Sequence, residues 1–149
     1  MDIGSVIRQQ KFTDTYQKCV INLFYTANFF RDSHLSVFKA YDIQGQHFNI
    51  LRILRGKHPD AVTPGYIKDV MLDKGRDVTR LIDKLIAMGW VERQVCPQNR
   101  RKMDITITPA GLKITEEISE KLQDHDSDMQ NLSDEEYQTL SHLLDKMRG

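Results

Sequence analysis

"VTPGYIKDVMLDKGRDVTRLIDKLIAMGWVER", residues 62 to 93, decides the fold. Thr63-Pro64 is a helix start: a threonine hydroxyl accepts from an otherwise orphaned amide, and proline at the first helical position lacks a donor that would go unused there. The short helix it opens runs to about Met71. "LDKGRD" makes a turn with Gly75 as its pivot. A second helix follows from Arg76 or Asp77 to Met88, with Val78, Leu81, Ile82, Leu85 and Met88 on its inward face. Gly89 ends it in the left-handed conformation that glycine adopts at little cost.

After Gly89 the period changes from helical to alternating. Trp90 to Gln94 and Met103 to Ile107 read as two strands, the second alternating Met103, Ile105 and Ile107 against Asp104, Thr106 and Thr108. They flank "VCPQNRRK", which reads as a loop longer than a tight turn, with Arg100, Arg101 and Lys102 at its exposed tip. A short helix, a turn, a second helix and a two-stranded ribbon make a winged helix-turn-helix. The fold class is therefore mostly α with a small β-hairpin (α+β).

Outward from this core, the chain is helical on both sides. From Thr13 to about Phe30, Tyr16, Cys19, Val20, Leu23, Phe24, Ala27 and Phe30 form one wide apolar stripe. Ser33 reads as the cap of a separate short segment through Phe38, and the next helix buries Phe48, Ile50, Leu51 and Leu54 before "RGKHPDA" breaks it. Thr108-Pro109 repeats the start signal and opens a long helix carrying Leu112, Ile114, Ile118 and Leu122. Ser133 to Glu136 is a capping box for a last helix with Tyr137, Leu140, Leu143, Leu144 and Met147 inward. The terminal helices carry more apolar surface than a small winged core can cover, which points to a dimer. One domain is expected over residues 1–149, with the winged part at about 44–108 and dimerisation helices at about 5–32 and 109–149.

The run 62–93, followed by "NRRKMDITITPAG" at 99–111, resembles the MarR family of bacterial transcriptional regulators, whose members carry similar "VTRLVDRL…G-L-V-x-R" and "D-R-R-x-x-x-V-x-L-T-x-x-G" patterns. The motif-bearing part spans about Gln44 to Gly111, and helix order and length agree over essentially the whole chain. The resemblance implies a homodimer that binds a pseudo-palindromic double-stranded operator, most often as a repressor. It also implies a small aromatic or phenolic effector seated between the dimer helices and the DNA-binding lobe. Arg100 and Arg101 match the two wing arginines of the family. Asn99 replaces the usual wing aspartate, and Lys68 stands where a small alanine is usual.

The physics of groove entry supports the same reading. A helix fits the major groove, and its N-terminal turn leads because free amides and the positive dipole end favour phosphate. With the apolar face turned inward, Arg76, Asp77, Thr79, Arg80 and Lys84 point outward. Arg76, Thr79 and Arg80 are candidates for base edges or flanking phosphates. Asp77 is repulsive near DNA unless it accepts from a cytosine amine, and its other reading is a helix cap. A wing beside such a helix overlies the adjacent minor groove, where an inserted arginine is drawn to the negative potential; Lys102 suits a phosphate.

Totals narrow the remaining classes. The 149 residues carry 21 cations and 21 anions, with 40% hydrophobic and 28% charged residues. That neutrality conceals seven cations against four anions over residues 76–104, and ten anions against three cations over 116–149. The middle attracts a polyanion and the tail repels it. "CVINLFYTANFF", residues 19–30, is too short to span a bilayer, and the first ten residues lack an export signal, so no membrane association and a cytoplasmic address are expected. Cys19 and Cys96 are expected to remain thiols.

No nucleotide, hydrolase or metalloprotease motif occurs, so no catalytic residue and no cofactor are assigned. The five histidines form no i, i+4 pair, and no metal is assigned. Phe24, Phe29, Phe30, Tyr41 and Phe48 are candidates to line an effector cleft or simply to pack a core. Cys19 reads either as a buried apolar cysteine or, by resemblance to one branch of the family, as a peroxide sensor. The alternative to a DNA-binding regulator is a winged-helix protein-interaction module, which gains little from three clustered cations.

Overall fold

Side-chain caps start nearly every helix of this protein, whose computed structural model describes residues 1–149. Asp2 caps α1 (Ile3–Val6), Asp14 caps α2 (Thr15–Lys39), Thr63 caps α4 (Pro64–Val70) and Asp77 caps α5 (Val78–Ala87). Thr108 caps α6 (Pro109–Asp126), and Ser133 and Glu136 exchange bonds at the start of α7 (Asp134–Arg148). At α3 (Gly45–Lys57) the first amide goes elsewhere: Gln44 N–H donates to His47 Nδ1 at 3.0 Å. Each such cap satisfies a donor the helix itself cannot, worth typically about 1 kcal/mol.

Strands β1 (Val91–Cys96) and β2 (Asn99–Ile107) pair antiparallel between α5 and α6. Val62 adds a bridge to β2, its amide and carbonyl exchanging bonds with Ile105 at 3.0 and 2.8 Å. Around these strands Ile50, Leu51, Leu54, Ile67, Ile82, Leu85 and Ile105 are fully buried, joining α3, α4 and α5 to the ribbon. Each contributes roughly 1.5–3 kcal/mol by burial. A second cluster of Phe38, Ile43, Phe48 and Ile118 seats the C-terminal end of α2 against α3 and α6.

The structure corrects several expectations. Residues 15–39 form one helix of 25 residues rather than two segments. Ser33 does not cap: its hydroxyl donates to the Phe30 carbonyl at 2.9 Å, a bond made inside a continuing helix, and no glycine or proline nearby breaks the run. The expected loop at the wing is mostly strand, with only Pro97 and Gln98 left as a turn. The short helix α1 had no period to reveal it.

The apolar stripes of the terminal helices are not covered within the chain. Of α2, only Phe38 is buried, while Tyr16, Leu23, Phe24, Tyr25, Phe29, Phe30 and Leu35 are exposed. None of α7 is buried, and Tyr137, Leu140, Leu143 and Met147 face outward. No helix is long and apolar enough to cross a membrane.

Candidate nucleic-acid interface

At the N-terminus of α5, Asp77 Oδ1 accepts from the Arg80 amide at 3.3 Å, so its carboxylate serves the cap. Asp77, Thr79 and Arg80 are all exposed. Arg76 precedes the helix rather than belonging to it, and its Nε lies 3.2 Å from Asp73 Oδ2. Lys84 departs from the expected outward position: it is half-buried and its Nζ lies 3.3 Å from Asp42 Oδ2. Arg80 has no ion-pair partner, which leaves its charge available at the positive end of the helix.

The wing has an irregular register. Val95 pairs with Met103, but the next pair is Cys96 with Asn99, so Arg100, Arg101 and Lys102 form a bulge with no partners opposite. Bulges re-aim side chains and bend the strand away from the ladder. Asn99 Oδ1 accepts from the Arg101 amide at 3.1 Å, bracing the backbone of the residue that carries the guanidinium. All three cations are exposed and none is ion-paired.

Wing and helix are fastened together. Arg93 on β1 donates from Nη1 to Asp83 Oδ1 on α5 at 2.8 Å. Sequence reasoning missed this pair because ten residues across a change of secondary structure give no spacing rule. It also missed Asp73, which accepts from Gln46 Nε2, the Gly75 amide and Arg76 Nε, each at 3.2 Å. Those bonds, the Gln46 one first, hold its carboxyl below the ordinary carboxylate range.

His47 lies beneath α5. It is 5% exposed, and burial, with the positive charge of Lys84 adding to it, lowers its pKa from the ordinary 6.5. Protonation would also remove the Nδ1 lone pair that accepts the Gln44 amide. The unfolded chain takes up this proton near pH 6.5 and the folded chain only at lower pH, so stability present above 6.5 is lost as pH falls toward the folded value. The melting temperature of the wild type is expected to fall more between pH 7.5 and 5.5 than that of His47→Gln, which keeps an acceptor but cannot titrate. Parallel profiles would exclude His47 as the cause.

The expected effector residues do not converge within one chain. Phe48 is buried and borders a groove of about 1390 Å³ between α2, α3, α6 and the α4–α5 turn. Phe38, Arg52, Arg55 and Arg76 also line it. Phe24 and Phe30 lie on the open face of α2, Phe30 stacked edge-on against Phe29 at 5.5 Å, and Tyr41 donates its hydroxyl to Glu117 at 2.8 Å; none of the three borders the groove. Cys19 is exposed rather than buried, and neighbouring Lys18 is held by Asp2 at 2.8 Å. Lys68 is exposed.

A helix-turn-helix whose second helix is tied to a cationic two-stranded ribbon defines the winged helix-turn-helix class. Residues 41–102 match the family model described as the MarR family. The multiple antibiotic resistance protein MarR of Salmonella typhimurium is 33% identical over 129 residues, covering 84% of this chain and 88% of that protein. The HTH-type transcriptional regulator PecS of Dickeya dadantii is 27% identical over 74% of this chain and 68% of its own. Among solved structures, an E. coli MarR cysteine mutant complexed with operator DNA superposes with a TM-score of 0.71 at 29% identity, covering 91% of this chain and 99% of that one. The chain belongs to the MarR family of transcriptional regulators, which are DNA-binding proteins rather than enzymes.

Proposed function

We propose that the protein is a homodimeric, cytoplasmic repressor that occupies a pseudo-palindromic operator. The N-terminal turn of α5 enters the major groove with Arg76, Thr79 and Arg80. The wing bulge lies over the adjacent minor groove with Arg100 and Arg101, while Lys102 contacts a phosphate. Asp77 acts as the cap, and Lys84 supports α5 from behind through Asp42. The helices at about 5–32 and 109–149 join two copies, so that half-sites fall about one turn apart. A small aromatic or phenolic effector enters the groove beside Phe48 and alters the spacing of the two α5 helices.

One observation carries this reading: Arg80, Arg100, Arg101 and Lys102 are exposed and free of carboxylate partners, although the chain has as many anions as cations. Exposed, unpaired guanidinium and ammonium groups gathered on the wing and at the start of α5 suit a polyanion. Arg101→Ala is expected to weaken binding to an operator selected from random duplexes by roughly tenfold or more, with little change in melting temperature. Equal affinity of mutant and wild type would remove the wing from the mechanism. No duplex binding by either would favour the interaction-module alternative.

A further inference from the structure

The turn between α4 and α5 is organised by one carboxylate. Asp73 Oδ1 accepts the Gly75 amide, while Oδ2 accepts from Gln46 on α3 and from Arg76 Nε. Beside it, the Leu72 amide donates to Asn49 Oδ1 at 2.9 Å, a second tie from the turn to α3. The Asp73 and Arg76 side chains are 46% and 58% exposed, so their ion pair adds little to stability. Its geometry is more informative than its energy.

Asp73 holds Arg76 through Nε alone. Both terminal amino groups of that guanidinium are left without a protein partner, at the residue immediately before the cap of α5. Bidentate recognition of guanine O6 and N7 needs paired N–H donors with fixed direction. An arginine unrestrained in this turn would spread its donors over many rotamers; one gripped at Nε presents them in fewer. Arg80 has no such grip: its backbone amide bonds to Asp77, but its guanidinium has no carboxylate partner.

We infer that Asp73 is a positioning residue for DNA reading: its carboxylate clamps the Arg76 Nε and aims the two terminal amines at a base edge, making Arg76 a specificity determinant. This rests on the reading of α5 as the groove-bound helix. Through Gln46 and Asn49 the clamp is also referenced to α3, so the aim of Arg76 follows α3 rather than the loop alone.

The test measures affinity of the wild type, Arg76→Ala, Asp73→Ala and the double variant for the selected operator and all its single base-pair changes, with melting temperatures alongside. Arg76→Ala should cost about tenfold on the operator and flatten discrimination at one base pair in each half-site. Asp73→Ala should flatten the same base pair, and the double variant should be no worse than Arg76→Ala. Asp73→Asn keeps the side-chain volume and an acceptor for Gly75 but loses the charge that grips Arg76, and should reproduce the loss. Additive costs overturn the inference, as does full discrimination in Asp73→Asn or a loss of melting temperature with discrimination intact. If Arg76→Ala is silent while Arg80→Ala and Arg101→Ala weaken binding, the inference fails and the DNA-binding reading stands. If all three are silent, that reading itself has failed.

Discussion

Leu140→Glu combined with Leu143→Glu is expected to convert a dimer into a folded monomer and to lower operator affinity by about 100-fold or more. Leu140 and Leu143 are 45% and 54% exposed on a helix that buries nothing within its own chain. Their replacement therefore removes no core contact, and glutamate is a good helix former. What it removes is an apolar face that a second copy would cover, placing charge where water must leave. Joining two DNA-binding modules raises overall affinity by about 10²–10⁴ over one, and that gain disappears with the dimer. Light scattering and an operator titration check it. A variant that remains dimeric and binds as the wild type does would show that α7 is not part of the interface.

Gly111→Ala is expected to destabilise the fold by about 3 kcal/mol, the upper end for overfilled sites, lowering the melting temperature by about 10 °C. A Cβ here would overlap the Trp90 carbonyl oxygen and approach Ile107 Cγ1 to 2.7 Å. The neighbourhood cannot give way easily. Thr108 donates its hydroxyl to the Gly89 carbonyl at 2.7 Å and its amide to the Trp90 carbonyl at 3.0 Å, and Gly111 N–H donates to Thr108 Oγ1 at 3.0 Å. These bonds tie the exit of β2 to the entry of β1. Gly56 makes the contrast: no atom lies within 4 Å of its would-be Cβ, and Gly56→Ala on an exposed turn of α3 should stabilise by roughly 0.5–1 kcal/mol. A Gly111→Ala protein that melts with the wild type would contradict the packing described at this joint.

These contrasts show which parts of the fold could be read from sequence. Thr63, Thr108, Ser133 and Gly89 declared their roles because capping and the left-handed turn are local chemistry, complete within four residues. The inward face of α5 was equally legible, with Val78, Ile82 and Leu85 buried as their spacing requires. Ser33 misled because a serine hydroxyl donates inside a helix as readily as it caps one. The stripe of α7 was correctly apolar, but periodicity says that a face wants cover and not which chain supplies it.

The candidate interface divides in the same way. Arg80, Arg100 and Arg101 stood out as cations on faces that the apolar pattern leaves outside. The bulge that holds Arg100 to Lys102 did not, because register depends on how two strands meet. Lys84 also looked free from its helical position and is paired to Asp42, 42 residues earlier on another element. The bonds joining Asp83 to Arg93 and Asp73 to Gln46 likewise cross between elements, where spacing carries no signal.

The central claim is that α5 and the wing of two symmetric copies meet one duplex together. The salt dependence of operator affinity for wild type and Lys102→Ala tests it most directly. Each phosphate contact contributes about 0.9 to the log–log slope, so losing one lysine in each of two copies should flatten the slope by about 1.8. An unchanged slope would mean that Lys102 does not reach the backbone, against the wing's placement on the duplex, and a change of about 0.9 would mean that only one copy's Lys102 does.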